Sequence, residues 1–137
     1  MVLSLPYPPT GNHAVKHGRN GHYMTPEAKR YRTSIATLAR SQGATNPFSG
    51  NLQVVAEIRH PDKRRRDLDN CWKTLADALT AAGVWLDDFQ ITDLRLIRGA
   101  PIKGGAVSVL VEEFNIDFPV IRCDIGVRDD SSKSTRP

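Results

Sequence analysis

Asp67 and Asp69 stand two residues apart in the stretch DLDN, closed by Asn70 and preceded by Lys63, Arg64, Arg65 and Arg66. Carboxylates at that spacing suit a hard cation such as Mg²⁺, because an extended entry to a helix alternates with period two and points both the same way. A plainer account is also open. Asp69 can cap the following helix, Asp67 can sit at its positive end, and the basic residues can be solvated surface pairs worth about 0–1 kcal/mol each. A second acid pair, Asp87-Asp88, ends the apolar run of residues 84–86. Adjacent like charges repel unless a cation lies between them, although two acids also open a turn readily. Lys73, four residues after Asp69, can offset charge growing on a phosphoryl oxygen or can pair with Asp69 or Asp77 at helical spacing.

These residues need elements to hold them. Leu68, Trp72, Leu75, Ala76 and Leu79 form one helical stripe, stopped at Gly83, which predicts a helix over about 70–82. A return through Gly83 can carry residues 84–88 back towards the helix N-terminus and set Asp88 beside Asp67 and Asp69. An earlier helix starts at Thr25-Pro26, an N-cap hydroxyl followed by proline at the first helical position. Its apolar stripe is Tyr31, Ile35, Leu38 and Ala39, it ends at Gly43, and Lys29, Arg30, Arg32 and Arg40 make its other face basic. Alternation predicts strands at 2–7, 51–60, 91–99 and 106–114. The last two are joined by the turn Lys103-Gly104-Gly105 and are expected to pair antiparallel. Residues 10–24 read as a long loop or irregular hairpin with Asn20-Gly21 as its tight turn. The order β, loop, α, β, loop, α, β, β gives an α+β (α/β-type) chain, a small mixed sheet with two main helices on one face.

Net charge is divided. Residues 1–66 hold 11 Lys/Arg and 3 Asp/Glu, a balance of +8, whereas residues 67–137 hold 8 and 12, a balance of −4. One half suits gripping a polyanion and the other suits processing it. No apolar run is long enough to span a membrane, and Pro6, Pro8 and Pro9 interrupt the place where a signal peptide needs an apolar helix. Cys71 and Cys123 lack metal-type spacing and read as reduced thiols of a cytoplasmic protein. Phosphate-loop, zinc-protease, serine-hydrolase and EF-hand patterns are absent, and no small-molecule cofactor is expected. His13, His17, His22 and His60 show no metal spacing and read as loop and phosphate-contacting residues. The chain divides into a domain over residues 1–118 and a polar tail, 119–137, expected to be flexible.

The block DKRRRDLDNCWKTLADALTAAGVWLDDFQI closely resembles the core of the RusA-type Holliday-junction resolvases, small endonucleases of bacteria and their phages. Arg64-Arg65-Arg66, Asp67-Leu68-Asp69-Asn70, Lys73, Asp77-Ala78-Leu79, Ala82-Gly83, Trp85 and Asp87-Asp88 match that pattern without a gap. The opening LPYPPTGN and the Lys103-Gly104-Gly105 turn match as well, so the resemblance spans roughly residues 3–114. It implies a homodimeric, RusA-like fold that nicks four-way DNA junctions symmetrically. Asp67, Asp69 and Asp88 would be catalytic acids binding Mg²⁺, with Mn²⁺ as an alternative ion. Lys73 would be the catalytic lysine and Asp87 a supporting acid at the rim. Arg66 would lie in the DNA path with Arg64 and Arg65, and Lys63, Lys16 and Arg19 would add backbone contacts. The location implied is the cytoplasm of a bacterium, with a phage gene as a possible source. Two alternatives keep the fold and change the activity: a catalytically weak binder of junctions or branched DNA, and a flap or fork nuclease.

Overall fold

In the computed structural model, residues 1–9, 15–19 and 21–113 are described. Strand β1 (Val2–Leu5) is followed by a hairpin, β2 (Val15–Gly18) with β3 (Gly21–Met24), in which Gly18 lies opposite Gly21. Of residues 10–24, expected to form a long loop or an irregular hairpin, 15–18 and 21–24 pair as a hairpin, while residues 10–14 and Asn20 lie outside the described residues. Helix α1 (Pro26–Ser41) begins as its sequence demands, with Ala28 N donating to the Thr25 hydroxyl at 3.2 Å. It ends at Gly43, whose φ of +106° lets Ala44 N turn back to the carbonyl of Ala39 at 2.9 Å.

Strand β4 (Leu52–Arg59), helix α2 (Leu68–Ala81) and strand β5 (Ile91–Arg98) form a crossover unit, with β5 parallel to β4. A short 3₁₀ turn, Asp88–Gln90, precedes β5, and β6 (Ala106–Glu113) ends the described chain. The main sheet runs β1-β6-β4-β5, antiparallel at its first two pairings and parallel at the last. The expected α+β class, a small mixed sheet with two helices, is what the chain adopts.

One expectation fails. The Lys103-Gly104-Gly105 turn forms, with Gly104 and Gly105 both at positive φ and Gly105 N bonded to the carbonyl of Ile102 at 2.8 Å. Yet β6 does not pair with β5; it lies between β1 and β4. The connection is stitched to the end of β4 instead: Gly99 N reaches the carbonyl of Ile58, Ile102 N that of His60, and Arg59 Nε the carbonyl of Ala100. Those bonds carry the chain across β4 to its other side.

The core follows the alternation of the strands. Leu52, Val54, Ala56 and Ile58 of β4 are buried together with Leu3, Leu5, Val107, Val109 and Val111. Tyr31, Ile35 and Ala39 of α1 and Leu75, Ala78 and Leu79 of α2 complete one apolar cluster with Trp85. Each fully buried leucine contributes about 1.5–3 kcal/mol relative to exposure. Among the described residues no helix is long and apolar enough to cross a membrane. The proposed tail, 119–137, lies outside the described residues, as does Cys123.

Candidate active site

Helix α2 begins at Leu68, two residues ahead of the expected start, so Asp67 occupies the N-cap position with extended backbone (φ −87°, ψ 138°). Its carboxylate makes no capping bond. Asp69 is already helical, and its Oδ1 accepts from Asn70 N at 3.0 Å. The expectation that both acids lie on an extended entry therefore holds for Asp67 alone. Asp67, Asp69 and Lys73 are all exposed. Lys73 makes no ion pair within 4.0 Å among the described residues, so the helical pairing with Asp69 or Asp77 is not formed. Asp69, Lys73 and Asp77 share one face at four-residue spacing.

The loop ahead of α2 is held by a residue that sequence reasoning passed over. Asp62 takes both Nη atoms of Arg66, with Nη2–Oδ2 at 3.1 Å, and its Oδ1 accepts from Arg64 N at 2.9 Å. These bonds to Arg66, then the backbone of Arg64, pull the Asp62 carboxyl down to about 2. Its signal in the sequence was an acid four residues before Arg66 inside a basic run. The side chain of Arg66 is 22% exposed while that of Arg64 is 83% exposed. From the other side, Arg98 of β5 donates to the carbonyl of Arg66 at 2.9 Å, fixing the peptide that leads into Asp67. Lys63, Arg64 and Arg65 are exposed, as is Arg19 at the tip of the β2–β3 hairpin. The side chain of Lys16 is not among those described.

Behind α2 lies a buried polar knot. The Tyr7 hydroxyl is 2.7 Å from His60 Nδ1 and 3.1 Å from Cys71 Sγ, tying the end of β1 to the first turn of the helix. His60 is 3% exposed, so it cannot be the phosphate contact expected of it. Burial, then the charges of Arg98 and Arg66, lowers its pKa and keeps the ring neutral. Burial, then the bond to Cys71, pushes the Tyr7 hydroxyl upward.

Asp87 and Asp88 sit on the return from α2. Val84 N bonds the carbonyl of Leu79 at 3.1 Å, and Trp85 Nε1 donates to the Thr80 hydroxyl at 2.7 Å. Asp87 caps the 3₁₀ turn by accepting from Phe89 N at 3.1 Å, while Gln90 Oε1 accepts from Leu86 N and Asp87 N. Gln90 Nε2 in turn donates to the carbonyls of Phe48 and Gly50, so the turn is fastened on both sides. A carboxyl–carboxyl hydrogen bond with Asp87, then burial, then the charges of Asp87 and Asp77 raise the Asp88 pKa. The Phe89 amide, then Asp88, lowers that of Asp87.

The structure brings Asp88 to Asp87 and within reach of the charge of Asp77, at the middle of α2. Asp69 precedes Asp77 by eight residues, about 12 Å along a helix axis. Among the described residues no three His, Cys, Asp or Glu side chains stand close enough to hold one metal ion. Asp67, Asp69 and Asp88 are thus not gathered into a cage within this chain; the anchors at Val84 and Trp85 set how far back the return travels.

Residues 6–112 match the family model described as Endodeoxyribonuclease RusA. This chain belongs to the RusA family. Named relatives agree across the same span. The crossover junction endodeoxyribonuclease RusA of Escherichia coli (strain K12) is 35% identical over 111 residues, covering 81% of this chain and 92% of the relative. That of Enterobacteria phage 82 is likewise 35% identical over 111 residues, and that of Shigella sonnei (strain Ss046) is 34% identical, both with the same coverage. Within the RusA match lie Asp67, Asp69, Lys73, Asp87 and Asp88, together with the clamp of Asp62, Arg66 and Arg98.

Proposed function

We propose that this RusA-family chain is a Mg²⁺-dependent, structure-selective endodeoxyribonuclease that resolves four-way DNA junctions by paired symmetric nicks in recombination and repair. The observation that carries the reading is the family match over residues 6–112, which contains the whole acid-and-lysine set. The named relatives are crossover junction endodeoxyribonucleases from bacteria and a phage. That company supports a cytoplasmic site of action, in a bacterial cell or from a phage gene.

The donor chemistry fits a hard cation. Asp67 keeps its carboxylate free of the capping bond its position invites. The raised Asp88 beside Asp87 and Asp77 marks surplus negative charge that a cation would relieve. Asp67, Asp69 and Asp88 are the residues that would hold Mg²⁺, or Mn²⁺ in its place. When bound, such an ion lowers the pKa of a coordinated water and clamps the scissile phosphate. The remaining steps belong to the chain. Lys73, with no competing ion pair among the described residues, offsets charge on the phosphoryl oxygens. Lys63, Arg64 and Arg65 neutralise backbone phosphates, joined by Lys16 and Arg19 from the hairpin. Arg66, pre-aimed by Asp62, meets the strand nearest Asp67. A homodimer supplies two equivalent sites on a two-fold axis, which is the symmetry of paired nicks.

Nick mapping on a synthetic junction tests the proposal: cuts at symmetric positions in Mg²⁺, none in EDTA, and loss of cutting in Asp67→Asn. Cutting by that variant at the wild-type rate would overturn the metal assignment. The lack of a preformed three-acid group among the described residues favours one other reading, a binder of branched DNA with weak catalysis. Retained binding with no Mg²⁺-dependent nicking by the wild type would establish it.

A further inference from the structure

A cleft of about 640 Å³ opens between the end of β1 and the first two turns of α1, lined by Tyr7, Glu27, Arg30, Tyr31 and Arg66 among others. Its volume falls within the roughly 300–1,000 Å³ of small-ligand sites. It is joined to the acids twice over: Arg66 is followed directly by Asp67, and the Tyr7 hydroxyl bonds Cys71 in the first turn of α2.

The lining has a particular chemistry. Both tyrosine hydroxyls are committed to the body of the protein, Tyr31 donating to the carbonyl of Pro6 at 2.9 Å and Tyr7 engaging His60 and Cys71. Tyr7 gives the cleft ring surface, extended by Pro9, while the largely buried Tyr31 forms its floor. The Gly105 backbone packs close against Tyr7, since a Cβ there would come within 2.7 Å of the Tyr7 side chain. Two guanidinium groups share this wall. Arg66 is held by Asp62, whereas Arg30 is exposed and without an ion pair among the described residues. Glu27, one turn before Arg30, is also exposed and unpaired.

That combination selects its occupant. A site for bare phosphate would not include a carboxylate, which repels the anion. An apolar ligand would leave two arginines and a glutamate without work. A nucleotide satisfies all three: a π-face for the rings, a phosphate for the guanidinium groups, and an exocyclic amine or ring N–H for the glutamate. We propose that this cleft is a nucleotide subsite taking one nucleotide of the strand being cut, its base against the Tyr7 side and its phosphate facing Arg30 and Arg66. The proposal rests on the nuclease reading and adds to it a source of structure selectivity. Drawing a base out of a duplex costs a few kcal/mol, and least where the base is already unpaired. At a branch point the continuous stack is interrupted and pairs open more easily than within a duplex, which lowers that cost.

The test is an abasic scan. Four-way junctions carrying a single abasic residue at successive positions around the nick are cut by wild type, Arg30→Ala and Glu27→Gln, each a surface substitution on α1. One abasic position should slow the wild type about tenfold and have little further effect on Arg30→Ala, and Glu27→Gln should alter the preferred base there. A flat scan in the wild type, or equal depth in all three proteins, would overturn the subsite while leaving the nuclease intact. If the wild type cuts no junction, the nuclease reading falls and the subsite is judged by direct binding. In that case a single-stranded hexamer containing 2-aminopurine should change fluorescence with wild type and far less with Arg30→Ala. Equal responses would overturn it.

Discussion

The two ends of helix α2 hold their acids in opposite ways. At the entry, other residues do the scaffolding: Asp62 clips Arg66, Arg98 pins the Arg66 carbonyl, and Tyr7 and His60 brace Cys71. Asp67 is left exposed and uncapped. At the return turn an acid is itself the scaffold. Asp87 accepts from Phe89 N and bonds the carboxyl of Asp88, while Gln90 fastens the turn to residues 48 and 50. A lone pair that a carboxylate gives to a backbone N–H is withheld from a cation, although each carboxylate has about four to give. Asp67 thus keeps all of its lone pairs, as its proposed role requires, whereas Asp87 is a support beside Asp88, whose pKa is raised.

Four substitutions probe this contrast, beginning with the largest effect. Asp67→Asn and Asp88→Asn should each cost on the order of 1,000-fold in junction nicking with binding retained, measured in single-turnover assays. The contrast appears in thermal unfolding: Asp67→Ala should leave the midpoint unchanged and Asp87→Ala should lower it, because only Asp87 makes a capping bond. Equal midpoints would erase the distinction drawn between the two ends.

Lys73→Ala should lose on the order of 100-fold in rate with little change in affinity, because its ammonium has no ion pair to abandon among the described residues. A parallel collapse of binding would move Lys73 from chemistry to grip.

Asp62→Asn releases Arg66, and its effect depends on pH. The folded carboxyl is depressed from its ordinary 3.8 to about 2 by its bonds to Arg66 and to the Arg64 backbone. A depressed acid contributes stability that is present above its unfolded pKa and lost as pH falls through the folded one. The wild-type loop should therefore loosen between about pH 4 and pH 2, read as amide exchange at residues 62–66, and Asp62→Asn should show no such step. The smallest effect is electrostatic. Alanine at Lys63, Arg64 or Arg65 should each reduce the slope of log affinity against log salt by about 1, and Arg66→Ala by less, since Asp62 already neutralises it.

Much of this was legible in the chain, and for local reasons. Thr25-Pro26 announces a helix because a hydroxyl cap and a fixed φ act within four residues, and the structure starts α1 there. Gly43 and Gly83 follow the ends of the two helices, and Gly104 and Gly105 make the turn before β6, because the backbone at each turns to positive φ. Alternation in residues 52–58 marks a buried face because side chains on a strand follow period two. The acids, the lysine and the basic run were readable as types at a spacing. His60 was misread because a histidine in a polar stretch carries no mark of whether the chain will bury it.

What the sequence determined, then, is which faces are apolar, where elements begin and end, and which residues are able to bind a cation or a phosphate. Only the tertiary structure decided who stands beside whom. Period two assigns a strand its face but not its neighbour, so β6 could lie between β1 and β4 when its nearest partner along the chain was β5. Nor does spacing record the path between two elements. Asp62 becomes the clip on Arg66, Arg98 reaches back from β5, and Asp88 comes to rest by Asp77 because packing at Trp85 and the stitched end of β4 fix those paths. Distances between residues far apart in the chain are properties of the packed core, and the core is settled by all its side chains together.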